Sequence, residues 1–254
     1  MTTITIDRPP VNAMSAQVVI ALESALDALA ADPATRVALL RGAGERGFSA
    51  GADIAEFPAL LEEGADAGRE GIQRLANKIE GFPKPIIVAI HGFCLGGGLE
   101  IALACDIRIA AEDARIGLPE IRLGLLPGGG GTQRLPRFIG PGRARLMTFT
   151  GEPISGRRAY EWGLVEEAVE AARLFEAAGA LARTLAARSP HALAVLKALA
   201  RDTRDAPLGD GPRTERAALG RCLAHPDGRE GIAAFLQKRE PRWSATAVTG
   251  PRDA

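Results

Sequence analysis

Cysteine is scarce in this 254-residue chain: Cys94, Cys105 and Cys222 are an odd number with no C-x-x-C spacing. That pattern excludes a disulfide framework and a structural zinc site, so reduced thiols are expected. An excess of either charge is also lacking, because 31 Lys and Arg balance 31 Asp and Glu. Without a basic face there is no electrostatic footprint for nucleic acid or for an acidic membrane. A polyanionic ligand has to be met by local charges instead. No apolar run approaches the roughly 18 residues of a spanning helix. The first seven residues, Met-Thr-Thr-Ile-Thr-Ile-Asp, hold no basic region leading into an apolar core. We expect a soluble, unprocessed, cytoplasmic protein. With three His, none in ligand spacing, metal binding has no support.

What is present is a mixed α/β pattern over residues 1–188 followed by helices alone over 189–254. Thr2 to Asp7 alternates like a strand, and Ser15 is placed to cap a helix whose apolar positions Val18, Val19, Leu22, Leu26 and Leu29 recur at helical spacing until Asp32-Pro33. Val37 to Leu40 and Ile86 to Ile90 are short, β-branched apolar runs of the kind that form buried parallel strands. Arg41 to Pro58 reads as a functional loop and Glu63 to Gly71 as a polar connection, ahead of a helix near Ile72 to Ile79. Helices are expected again over Arg143–Thr150 and Ser155–Trp162, with a last strand over Val165–Val169. Four helices follow, over Arg173–Arg188, Pro190–Thr203, Arg213–Leu223 and Arg229–Gln237. No repeat of 20 to 50 residues is visible, and periodicity alone leads to an α/β fold with a parallel sheet.

The most informative stretch runs from Gly92 to Gln133. A glycine-rich turn, Gly96-Gly97-Gly98, follows the strand Ile86–Ile90, and helix-forming residues Leu99 to Cys105 come next. Free backbone N–H groups at such a helix start welcome negative charge, and glycine lets a ligand approach the backbone. Glu100 lies in the first turn of that helix. Glu120 follows in Gly117-Leu118-Pro119-Glu120, where a chain that leaves a strand, makes a helix and returns can bring it back to Glu100. Taken singly, Glu100 reads as a favourable charge at a helix N-terminus and Glu120 as a solvated loop residue.

Taken jointly, Gly92 to Glu100, Ala104 to Arg108, Gly117 to Glu120 and Gly124 to Leu135 resemble the crotonase family of enoyl-CoA hydratases and isomerases. Phe48 to Ile54 upstream, and Thr150 to Ser155 with Gly163 to Val165 downstream, extend the resemblance over nearly the whole chain. It implies a spiral of ββα units with a C-terminal helical region that packs at a trimer interface, and a homotrimer or hexamer. It implies an acyl-CoA thioester substrate of fatty-acid β-oxidation, with coenzyme A as part of the substrate and no separate cofactor. Glu100 and Glu120 fall at the catalytic positions, Glu120 as proton donor to Cα and Glu100 as the group that activates water. The oxyanion hole falls on the backbone N–H groups of Ala52 and Gly97. Coenzyme A binding falls on Ala52, Asp53 and Ile54 and on Lys238, while Ala55 stands where many relatives carry Lys. The family usually has one more strand before Thr2, so the chain looks short at its N-terminus.

Other chemistries are less well supported. Gly47-Phe48-Ser49-Ala50-Gly51 matches the G-x-S-x-G of a hydrolase nucleophile elbow. An elbow needs a strand directly into the serine and a helix directly out, and His91, His191 and His225 have no triad context. No Gly-Lys-Ser/Thr follows a glycine loop, which removes a P-loop. A non-catalytic binding member of the family is opposed by the presence of both glutamates. Double-bond isomerisation remains open beside hydration, because a single base suffices for it.

Overall fold

A computed structural model describes residues 1–58, 62 and 70–244. Part of the polar connection expected over Glu63–Gly71 lies outside the described residues, as do residues 245–254 of the C-terminal region. Two sheets are built in alternation. The first has the order β1-β2-β4-β6-β9, from β1 (Thr2–Ile6), β2 (Ala38–Gly42), β4 (Ile86–Ile90), β6 (Ile107–Ala111) and β9 (Glu167–Val169), with every neighbouring pair parallel. The second has the order β3-β5-β7-β8, from β3 (Gly47–Ser49), β5 (Phe93–Leu95), β7 (Arg115–Gly117) and β8 (Ile154–Ser155), parallel except for the last pair. Successive strands enter one sheet and then the other before a helix returns the chain, which winds the backbone into a spiral of ββα turns.

The helices that complete those turns are α1 (Ala16–Ala31), α2 (Glu70–Gly81), α3 (Gly97–Ala104), α4 (Gly131–Thr150), α5 (Gly156–Trp162) and α6 (Leu174–Ala186). Helix α1 starts as its sequence dictates: the Ser15 hydroxyl accepts from the Val18 N–H at 3.3 Å, a cap of about 1 kcal/mol. All five residues of β4 are buried, with β2 and β6 on either side and α6 packed across it. That is why the run carries no polar alternation.

Two expectations change, and the rejection of Ser49 as a nucleophile stands. The glycine-rich turn does not follow β4 at once, because β5 is interposed between Gly92 and Gly96, both at left-handed φ. Gly92 has no alternative, since a Cβ there would stand 2.1 Å from the Arg46 carbonyl oxygen. Helix α4 begins at Gly131 rather than near Arg143. It is two helices joined at Gly140 (φ 76°, ψ 160°), with Pro141 opening the second half, where a missing N–H costs no bond. Ser49 is fully buried and donates to the Asn12 carbonyl at 2.7 Å, so it ties two loops together and is no exposed nucleophile.

Beyond α6 come α7 (Pro190–Asp202), α8 (Gly211–Ala224) and α9 (Pro226–Leu236), which pack on one another with no further strand among the described residues. Lys197 anchors α7 to the spiral. Its ammonium donates to Asp106 Oδ2 at 2.7 Å and to the carbonyls of Lys84 and Ile79 at 3.2 and 3.3 Å.

Candidate active site

Helix α3 is wholly buried, and its start is the floor of the site. Gly96 precedes it with φ 51°, and the Gly97 N–H, at the first helical position, has no acceptor among the described residues. Opposite lies the loop after β3. There Met14 N–H donates to Gly51 O at 2.8 Å and Asp53 N–H to Met14 O at 3.2 Å. This parallel bridge turns the intervening Ala52 N–H away from Met14, and it too has no acceptor among the described residues. The two free donors are close: a Cβ on Gly97 would stand 3.4 Å from the Ala52 nitrogen.

Glu100, 3 % exposed, is held from α3 by the turn before α4. Its Oε1 accepts from the N–H groups of Gly129 at 2.7 Å and Gly131 at 2.9 Å. Burial raises its carboxyl above the usual range, while these two N–H groups and the Arg134 charge oppose the rise. Glu120 opens a 3-10 turn over Glu120–Leu123 and reaches back over Gly96, whose Cβ, if present, would lie 3.0 Å from Glu120 Oε1. Its Oε2 is buried without a partner among the described residues. Burial first, and then the neighbouring Glu100 charge, push its carboxyl up to about 7. Two carboxyl groups thus share one site and burial raises both: Glu100 has the fixed Gly129 and Gly131 donors and the Arg134 charge to favour its anion, whereas Glu120 has only its own backbone N–H.

The structure therefore brings Glu100, Glu120, Ala52 and Gly97 together. Asp53 and Ile54 flank them. Asp53 is already engaged, accepting from Arg8 Nη2 at 2.5 Å and from the Ala55 N–H at 3.1 Å, while Ile54 sits half-exposed on a 3-10 turn. Lys238 is not part of this cluster. It is exposed, just past α9, and α9 packs on α8 and α7, which carry no other candidate residue. Sequence reasoning missed Gly129, Gly131, Arg134 and Ile72. The Ile72 methyls lie where a Cβ on Gly97 or Gly129 would fall, at 2.7 and 2.6 Å, so this side chain packs over both glycines. The glycine run 128–131 was the available signal, since two N–H donors converging on one oxygen need a backbone without side chains in the way. No group of three or more His, Cys, Asp or Glu among the described residues is placed to hold a metal ion, and no described helix is long and apolar enough to cross a membrane.

The chain and its fold match known proteins over almost their full length. The family model described as Enoyl-CoA hydratase/isomerase matches residues 1–246. A protein of Bacillus subtilis named "Probable enoyl-CoA hydratase" is 46 % identical over 242 residues, 94 % of this chain and 93 % of that protein. The Crotonyl-CoA hydratase of Syntrophomonas wolfei is 38 % identical over 237 residues, 92 % of this chain and 91 % of its own. The crystal structure of an enoyl-CoA hydratase from Bacillus anthracis superposes with a TM-score of 0.90 at 38 % identity, covering 96 % of each chain. The chain belongs to the crotonase family of enoyl-CoA hydratases and isomerases, and its fold is the crotonase fold.

Proposed function

We propose that the chain is an enoyl-CoA hydratase that adds water reversibly across the α,β double bond of an acyl-CoA thioester. Glu100 takes a proton from water as the oxygen attacks Cβ, and Glu120 delivers its proton to Cα. The negative charge that builds on the thioester oxygen falls to the N–H groups of Ala52 and Gly97, which are preorganised and unspent. After each turnover Glu100 carries the proton and Glu120 the charge, and exchange with solvent resets both. Coenzyme A arrives as part of the substrate, and the chemistry asks for no further cofactor. The backbone of Ala52, Asp53 and Ile54 is its expected resting place, with Lys238 reaching a phosphate.

The observation that carries this reading is the contrast between Glu100, anchored by two N–H donors, and the half-buried Glu120, whose Oε2 is buried without a partner among the described residues and whose carboxyl is pushed up to about 7. A proton donor and a base are both needed for hydration, and environment alone divides these two identical side chains into those roles. The test is loss of enoyl absorbance when purified protein meets 2-enoyl-CoA thioesters of graded chain length. Absence of turnover with all of them, together with no coenzyme A binding by calorimetry, overturns the proposal.

Residues 1–188 are read as the catalytic spiral and 189–254 as a region for association with further copies, as a trimer or hexamer. Leu196, Leu219, Leu223, Ile232, Phe235 and Leu236 on α7 to α9 are all exposed in the single chain, an apolar surface of the kind that marks a contact.

A further inference from the structure

Arg134, near the start of α4, is only 7 % exposed, yet it ends in a cluster of specific contacts. Nη2 donates to Asn77 Oδ1 and Glu80 Oε2 on α2, both at 2.8 Å. Nη1 donates to the Gly129 carbonyl at 3.4 Å, and lies so close under the next peptide that a Cβ on Gly130 would stand 2.1 Å from it. The same short backbone segment, 129 to 131, supplies both N–H groups to Glu100. Behind the guanidinium, Glu80 Oε1 accepts from Arg204 Nη1 at 2.5 Å, which fixes the carboxylate that fixes Arg134. A planar fork with donors on two sides spans from α2 to this loop. A lysine ammonium, a point charge on a flexible stem, does not.

We propose that Arg134 is a positioning residue for the reaction: it clamps the Gly129–Gly131 segment so that both N–H groups meet Glu100, and its charge favours the ionised form of that carboxyl. The inference rests on the reading of Glu100 as the base. Buried charges at this range are poorly screened, so the second effect reaches Glu100 without direct contact. Among the described residues, the charged and titratable groups facing Glu100 are few. Glu120 comes from the 3-10 turn, Arg134 from α4, and Glu80 from α2 with Arg134 between. Strands β3 and β5 bring only the Ser49 hydroxyl and the Cys94 thiol, which burial keeps neutral.

The experiment measures the pH dependence of kcat/KM for 2-enoyl-CoA hydration in wild type, Arg134→Gln, Arg134→Lys, Glu80→Gln and Glu100→Gln. Arg134→Gln is expected to lower kcat by about 10-fold or more with KM little changed, as misplacement of a catalytic group does. Its acid limb moves to higher pH, because Glu100 protonates more readily without the cation. Arg134→Lys returns the limb toward wild type but not the full kcat. Glu80→Gln moves the limb to lower pH, since it frees the Arg134 charge from its nearest anion. A merely structural arginine predicts no such opposed pair of shifts. Unmoved limbs in both Arg134→Gln and Glu80→Gln overturn the inference. If Arg134→Gln does not fold, the decision passes to Glu80→Gln and Arg134→Lys, and a limb unmoved or raised in Glu80→Gln overturns it equally. Glu100→Gln separates the two levels. An inactive Glu100→Gln beside unmoved limbs removes only the role of Arg134, whereas a fully active one removes the catalytic reading beneath it.

Discussion

Glu100 Oε1 sits 2.7 Å from the Gly129 nitrogen, and the space beside that nitrogen is full: a Cβ on Gly129 would stand 2.5 Å from Glu100 Oε2 and 2.6 Å from an Ile72 methyl. Gly129→Ala must therefore displace the carboxylate or the loop. We expect kcat to fall by about 10²-fold, the cost of moving a catalytic group by an ångström or so. Gly128→Ala, whose Cβ has no described residue within 4 Å, leaves kcat near wild type. Steady-state kinetics of the two alanine variants, side by side, checks this.

Glu120 costs the fold stability where it is charged. Its folded carboxyl titrates at about 7, above the ordinary 4.5 of an unfolded chain. The native state therefore holds the proton through that window while the unfolded state has released it. Stability contributed by the neutral carboxyl is complete below about 4.5, declines as pH rises, and is gone above about 7. Glu120→Gln, neutral at every pH, should melt higher than wild type at pH 8 and close to it at pH 4. A difference in Tm that does not grow with pH contradicts the burial of Glu120. The same proton predicts that kcat/KM of wild type declines above about pH 7, as the donor to Cα ionises.

Lys197→Met should loosen the C-terminal helices. It leaves Asp106, whose carboxyl burial already pushes up, without its ammonium partner and the Lys84 carbonyl without its Lys197 donor, while the Ile79 carbonyl keeps only the Phe82 N–H. Breaking a largely buried pair of this kind costs about 3 kcal/mol. Urea unfolding followed by circular dichroism reads the change in midpoint.

Self-association is tested by light scattering. A trimer or a pair of trimers is expected at working concentration, and Phe235→Glu, which places a charge on an 82 % exposed apolar side chain, should shift the distribution toward monomer. A wild-type monomer counts against the association proposed for α7 to α9.

Much of this was legible in the residues, and the limits have physical causes. Strand β4 was readable to the residue because burial on both faces leaves an unbroken apolar run between Pro85 and His91. Strands β3, β5 and β7 were not, because three residues are too few to show a period. Glu100 and Glu120 stood out through their glycine and proline neighbours, and those neighbours are what let the two carboxyls approach: Gly96 has no Cβ to meet Glu120. Arg134 did not stand out. Its partners Asn77 and Glu80 lie 57 and 54 residues away, and nothing local in Thr132-Gln133-Arg134-Leu135 marks a guanidinium that will be buried.

The division of labour between Glu100 and Glu120 is tested most directly by Glu100→Gln, which keeps shape and size and removes the base. With a short 2-enoyl-CoA as substrate, the two-carboxylate mechanism predicts that kcat for hydration falls by at least the roughly 10²-fold of a lost general base, with thioester affinity nearly intact. Near-full hydration by Glu100→Gln contradicts it. So does a wild-type protein that shifts the double bond of 3-enoyl thioesters but hydrates nothing, which would leave Glu120 acting alone as the base of an isomerase.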